Sequence, residues 1–303
     1  MKSALIGYSG FVGSNLSTQF EYSEKFNSKN ISDLKSKYDL AVCCAIPATM
    51  WLANNRPEED LRNIENLMSS ISHLDVKKLV FISTIAVYDN SNHPKNELSD
   101  RFETSLAYGK NRLFAEKKIV ELFPDVTILR LPALIGNNLK KNFIFDLMNP
   151  VPRFLNEQKY HELAEKSDLI KSSFYLNDEN DMYTLNEGIS AQTLNCLEVY
   201  LRESCETSVR FTNPQSTYQY YDLANLQNDI QLAIDNGINL LNVCTTPILA
   251  KEIFDHIFPG DKFPNNSAKL INQSTESIHA KHWGNNTYLY SKESVMQSIK
   301  SYF

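Results

Sequence analysis

Apolar positions near the start of the chain come in short runs separated by polar helical stretches. Ala4-Leu5-Ile6 leads into Gly7, and glycines recur at Gly10 and Gly13 with Phe11 and Val12 between them. This predicts a strand, a tight turn and a first helix at about Asn15 to Phe20. Tyr22 to Phe26 is a possible second strand, closed by the polar turn Asn27-Ser28-Lys29-Asn30. Tyr38 to Ala45 is almost continuously apolar up to Pro47, as expected of a strand buried on both faces of a parallel sheet. Asp60 to Leu74 places Leu61, Ile64, Leu67, Met68 and Ile71 at a helical period. Lys78 to Tyr88 reads as another buried strand, and after a polar loop from Asp89 to Thr104 a long helix runs from Leu106 to Phe123. Val126 to Leu131 is a strand ending at Pro132.

Strand and helix alternate in this way to about Gly136, which predicts an α/β protein with a doubly wound parallel Rossmann sheet. From Asn137 to about Val209 the texture changes to many Asn, Glu and Lys with few strand-like runs, plus a helix near Ile189 to Leu201. This part is expected to be a smaller, mostly helical C-terminal substrate lobe. Helix Asp222 to Asn236 and strand Leu240 to Val243 return to the sheet. The expected division is 1–136 plus 216–248 for the dinucleotide-binding domain and 137–215 plus 249–303 for the lobe.

Composition narrows the class. A 303-residue chain that is 42% apolar can bury a substantial core, and a net charge of −6 argues against a nucleic-acid surface. No run of about 18 apolar residues offers a membrane span, and the entry straight into a strand is unlike a signal peptide, so a cytoplasmic protein is expected. The five cysteines lack metal-like pairing and read as buried thiols; the six histidines show no ligand spacing, and no metal site is expected.

The glycine stretch carries the first chemistry. In a doubly wound sheet the first glycine permits the turn, the second lets backbone N–H groups approach a pyrophosphate, and the third lets helix and strand pack closely. Gly7, Gly10, Phe11, Val12 and Gly13 are therefore candidate dinucleotide contacts. Ala45, Ile46 and Pro47 at one strand end, and Leu131 and Pro132 at another, fall where such folds hold the cofactor. No carboxylate follows the second strand to take ribose hydroxyls. Ser28 and Lys29 either form a solvated turn or receive a 2′-phosphate, which tilts the cofactor expectation from NAD toward NADP.

The spacing G-x-x-G-x-x-G resembles that of the extended short-chain dehydrogenases/reductases, most of which modify nucleotide-linked sugars. Two further segments carry the resemblance: Ser83-Thr84-Ile85-Ala86-Val87-Tyr88, similar to S-S-x-x-V-Y, and Tyr108-Gly109-Lys110-Asn111-Arg112, similar to Y-G-x-x-K. Asp222-Leu223-Ala224 and Leu241-Asn242-Val243 are looser matches. The resemblance implies catalytic roles for Thr84 and Tyr108. A phenol titrates near about 10 and needs neighbouring positive charge to serve as a base at neutral pH. The family supplies it from a Lys one helical turn on; here that residue is Arg112, which keeps the charge but cannot relay a proton.

The 4,6-dehydratases of the family follow the Thr with an Asp-Glu pair, whereas Ile85 and Ala86 stand here, so dehydration is disfavoured. What the resemblance leaves is an epimerase or keto-sugar reductase, or a cofactor-binding protein of the same fold with weak catalysis acting as sensor or partner subunit. It also implies substrate contacts at Asn142 and Arg210, with Arg153 a further candidate cation in the lobe, and a homodimer through the Tyr108 helix.

Overall fold

A computed structural model describes residues 1–34, 37–89, 91, 93–177, 181–264 and 268–303. They form two units, the first made of Met1–Leu139, Thr217–Ile248 and Asn272–Tyr302, the second of Lys140–Ser216, Leu249–Ile271 and Phe303.

The first unit is built on six parallel strands: β1 (Ser3–Ile6), β2 (Glu24–Phe26), β3 (Lys37–Cys43), β4 (Asp75–Thr84), β5 (Val126–Leu131) and β6 (Leu240–Asn242), in the order β6-β5-β4-β3-β1-β2. The order reverses at β1, where ligands of such sheets bind beyond the strand ends. Register brings those ends level, with Ile6 opposite Cys43, Cys43 opposite Phe81 and Thr84 opposite Leu131.

Both sheet faces are covered, which explains why every residue of β1 and β5 is buried. Leu5, Val42, Val80 and Leu129 point to one side and meet Leu16 of α1 (Phe11–Gln19). Ile6, Ala41, Leu79 and Phe81 point to the other side. There they pack on Ile64, Leu67 and Ile71 of α3 (Pro57–Ile71), which follows the short α2 (Met50–Asn55), and on Ala115 and Ile119 of α4 (Ala107–Leu122).

The elements depart from expectation in three ways. Helix α1 begins at Phe11 rather than Asn15, because Gly10 already serves as its N-cap. Strand β4 ends at Thr84, whose hydroxyl accepts the Ala86 N–H at 3.2 Å and turns Ile85–Val87 into a 3-10 helix. The second unit is helical over 143–148, 157–164, 168–173, 191–203 and 250–257, yet it also holds a three-stranded antiparallel sheet of 154–155, 182–185 and 174–177. Strands of two to four residues leave no readable alternation. Their core is Leu155, Leu163, Ile170, Phe174, Leu197 and Leu201.

Residues 272–302, expected in the lobe, belong to the first unit. The reason is Asp229 on α5 (Leu226–Asp235), 2% exposed, whose carboxylate accepts hydrogen bonds from Tyr221 Oη at 2.5 Å, Trp283 Nε1 at 2.7 Å and Tyr290 Oη at 2.8 Å. Two of those donors lie in the C-terminal segment. Of the cysteines, Cys43 and Cys244 are buried as expected, but Cys196 is exposed on its helix. Among the described residues no helix is long and apolar enough to cross a membrane.

Replacing Asp229 by Leu removes one acceptor from three donors. Unfolding by denaturant is expected to show a loss of about 3 kcal/mol; a loss below about 1 kcal/mol would contradict this anchoring of the C-terminal segment.

Candidate active site

The turn between β1 and α1 is shaped by close backbone approach. Gly7 adopts φ +94°, and a Cβ there would lie 2.8 Å from the Ala45 amide nitrogen. A Cβ on Gly13 would overlap the Gly7 carbonyl and lie 2.7 Å from the Tyr8 Cα, so this glycine presses α1 against the turn. Gly10 differs, because its Cβ would meet only the Gly7 oxygen at 3.4 Å, an ordinary contact. No side chain caps α1, so its first backbone N–H groups are left for an anion.

These groups border a cavity of about 690 Å³, within the range of cofactor sites. Gly7, Gly10, Phe11, Val12, Ser28, Ala45, Ile46, Pro47, Thr84, Tyr108, Arg112, Leu131 and Pro132 all line it. Gly13 acts from behind, through packing. Lys29 does not line the cavity; it is exposed in a turn where Asn27 Oδ1 accepts its backbone N–H at 2.9 Å.

Sequence reasoning missed the far wall. Asn63, Asn66 and Ser70 of α3 line the cavity together with Asn27 and Ile31. Their spacing is a second helical stripe, polar, beside the apolar stripe of Ile64, Leu67 and Ile71. Cys44 also lines the cavity, with burial holding its thiol well above the ordinary value.

Thr84 and Tyr108 meet on this wall, the first from the end of β4 and the second from the first turn of α4. Asn54 of α2 fixes that turn, its Oδ1 accepting the Tyr108 N–H at 2.9 Å. Arg112 departs from expectation. Its guanidinium is 2% exposed, bonded through Nη1 to Asp60 and through Nη2 to the Pro47 carbonyl, while Nε is buried without a partner. The guanidinium carbon lies 4.2 Å from the centre of the Tyr108 ring. Burial pushes the Tyr108 phenol above its ordinary value. Arg112 and hydrogen bonding with Thr84 pull it down, but Asp60 opposes them, and the net shift is upward. Arg112 thus acts on the phenol in the expected direction, but burial outweighs it and Asp60 offsets part of it.

The three expected substrate contacts lie in the second unit. Asn142 caps the helix 143–148, its Oδ1 accepting the Phe145 N–H at 3.1 Å, and the Arg153 guanidinium lies 5.7 Å from the Phe145 ring centre. Arg210 is ion-paired with Glu206, which also takes Lys159 Nζ at 2.9 Å. Its charge is thus answered within the protein.

The sheet order, the glycine turn and the strand-end cavity define a Rossmann-type fold. Solved structures share it over nearly their whole length. The chain is similar to a dTDP-4-dehydrorhamnose reductase from Yersinia enterocolitica (15% identity, TM-score 0.65, covering 100% of this chain and 98% of that one). It is also similar to a UDP-glucose 4-epimerase from Thermotoga maritima, solved with UDP-glucose (15%, 0.62, 99% and 96%). A third similar structure is MoeE5 in complex with UDP-glucuronic acid and NAD (14%, 0.63, 100% and 100%). No protein-family model and no curated protein matches the sequence.

The glycines make separable predictions. Gly10→Val is expected to leave the melting temperature near that of the parent while abolishing dinucleotide binding in calorimetry, since its side chain opens on the cavity. Gly13→Val is expected to prevent folding. Unchanged NAD(P) affinity in Gly10→Val would remove the cofactor assignment.

Proposed function

We propose that this chain is an NAD(P)-dependent enzyme that acts on a nucleotide-linked sugar by hydride transfer at a sugar carbon, as a 4-epimerase or keto-sugar reductase. The observation that carries the reading is the meeting of Thr84 and Tyr108 on the wall of a cavity bordered by the N-terminus of α1. The α1 amides would hold the pyrophosphate, and the neutral wall of Asn27, Ser28, Asn63, Asn66 and Ser70 suits the uncharged parts of a dinucleotide. The nicotinamide, when bound, supplies or accepts the hydride. Thr84 orients the sugar oxygen and Tyr108 exchanges a proton with it. Ile85 and Ala86 after Thr84 offer no carboxylate for elimination of water, which supports the exclusion of a dehydratase.

Arg112 is the only charged side chain on the cavity wall among the described residues, and it is paired with Asp60. The extra phosphate of NADP therefore meets no free cation there. NAD is expected to bind at least as tightly as NADP, and Lys29→Ala to leave their ratio unchanged within about twofold, since a contact worth having contributes about 1 kcal/mol. A tenfold preference for NADP in calorimetry would contradict this.

The commitment of Arg112 to Asp60 also favours a second reading, a cofactor-binding protein with weak catalysis. A panel of GDP-, UDP-, CDP- and dTDP-linked sugars and keto-sugars, with both coenzymes, separates the two by nicotinamide absorbance and product analysis. For an enzyme, Tyr108→Phe is expected to lower turnover by roughly 10²–10⁴-fold with little change in coenzyme affinity. Turnover within a factor of about two of the parent would exclude Tyr108 as the proton-transfer group.

A further inference from the structure

The residue that decides what Tyr108 can do is one the catalytic motif does not contain. Asp60 lies on α3, 1% exposed, and its Oδ2 accepts from Arg112 Nη1 and from Asn111 Nδ2, the latter at 2.8 Å. Asn111 Nδ2 also reaches the Pro57 carbonyl at 3.2 Å, and Arg112 Nη2 donates to the Pro47 carbonyl. The carboxylate thus ties α3, α4 and the cofactor wall at Pro47 to one guanidinium, and fixes that guanidinium across the face of the Tyr108 ring.

We propose that Asp60 is a positioning residue that captures Arg112 and offsets part of its positive charge beside the phenol, so that Tyr108 rests as the neutral phenol and serves as proton donor when a sugar ketone is reduced. This rests on the hydride-transfer reading above. In the reductive direction the Oη–H bond of Tyr108 breaks. Its proton goes to the carbonyl oxygen as the carbonyl carbon takes a hydride from a reduced nicotinamide, and the phenolate is reprotonated from water. A lone guanidinium or ammonium at this place would favour the phenolate, a base suited to alcohol oxidation. The charged groups acting on the phenol are Arg112 from its own helix and Asp60 from α3; Thr84 on β4 contributes a neutral hydroxyl. Burial of the phenol acts in the same direction as Asp60.

The test follows the ionisation of Tyr108 itself, in protein carrying ring-labelled tyrosine, by NMR with the signal assigned through its loss in Tyr108→Phe. The wild-type signal is expected to stay in the protonated position to about pH 10. In Asp60→Asn the guanidinium loses its counter-charge and the midpoint is expected to fall by about one pH unit or more, the scale of one near charge. In Asp60→Asn/Arg112→Met both charges are gone and the midpoint is expected to return to the wild-type position or above it.

A purely structural Asp60 would lower the melting temperature without moving the titration. An unchanged Tyr108 titration in Asp60→Asn, or a shift that persists in the double variant, would overturn the proposal. Should Asp60→Asn fail to fold, the comparison of wild type with the double variant still decides, since the account requires the double variant to titrate no lower than wild type, and a midpoint about one unit or more below it contradicts the proposal. None of these readouts needs turnover, so an inert protein in which Tyr108 shifts as expected rejects the enzyme reading and leaves the charge offset standing.

Discussion

The first unit depends on how closely β1 and α1 can approach. With Gly13 pressed against the Gly7 carbonyl and Gly7 in a left-handed conformation against the Ala45 backbone, no larger residue is tolerated at either place. Everything that makes the cavity follows from that contact. The uncapped amides of α1 face the space beyond the strand ends, β3 delivers Ala45 to Pro47 beside them, and the reversal of strand order at β1 leaves the crevice open. Gly10 stands apart, since space alone would allow a side chain there.

At the other end of the cavity the organising force is electrostatic. A carboxylate and a guanidinium, each almost fully buried, survive out of water only as a pair with their remaining hydrogen bonds made elsewhere. The partners found for them are the Asn111 amide and the Pro47 carbonyl, which makes the geometry of the cofactor wall and that of Tyr108 parts of one arrangement. A cation that reads in the sequence as a free tuning charge is, in the fold, a neutralised strut.

The central strands and the long helices were legible from their patterns: short, largely apolar stretches within β3, β4 and β5, and a 3.6-residue stripe for α3. The glycines, Thr84 and Tyr108 were legible because their spacing is local. What escaped was set by contacts between distant segments. The pairing of Asp60 with Arg112 joins residues 52 apart, and its one sequence signal is an acidic residue in line with the apolar stripe of Ile64, Leu67, Met68 and Ile71. The placement of residues 272–302 was hidden for the same reason, since Trp283 and Tyr290 find their acceptor in Asp229 only once α5 has folded. Lys29, one position beyond the lining Ser28, is exposed.

The central claim is that a hydride passes to or from a sugar carbon in this cavity. Reduced coenzyme deuterated at its transferable position, incubated with the panel of nucleotide-linked keto-sugars, tests it directly. The account predicts deuterium on a sugar carbon of at least one product, read by NMR and mass spectrometry, and its loss in Tyr108→Phe. Tight coenzyme binding with no deuterium on any sugar, and no epimer formed from any nucleotide-linked sugar, would contradict the enzyme and leave a binding protein.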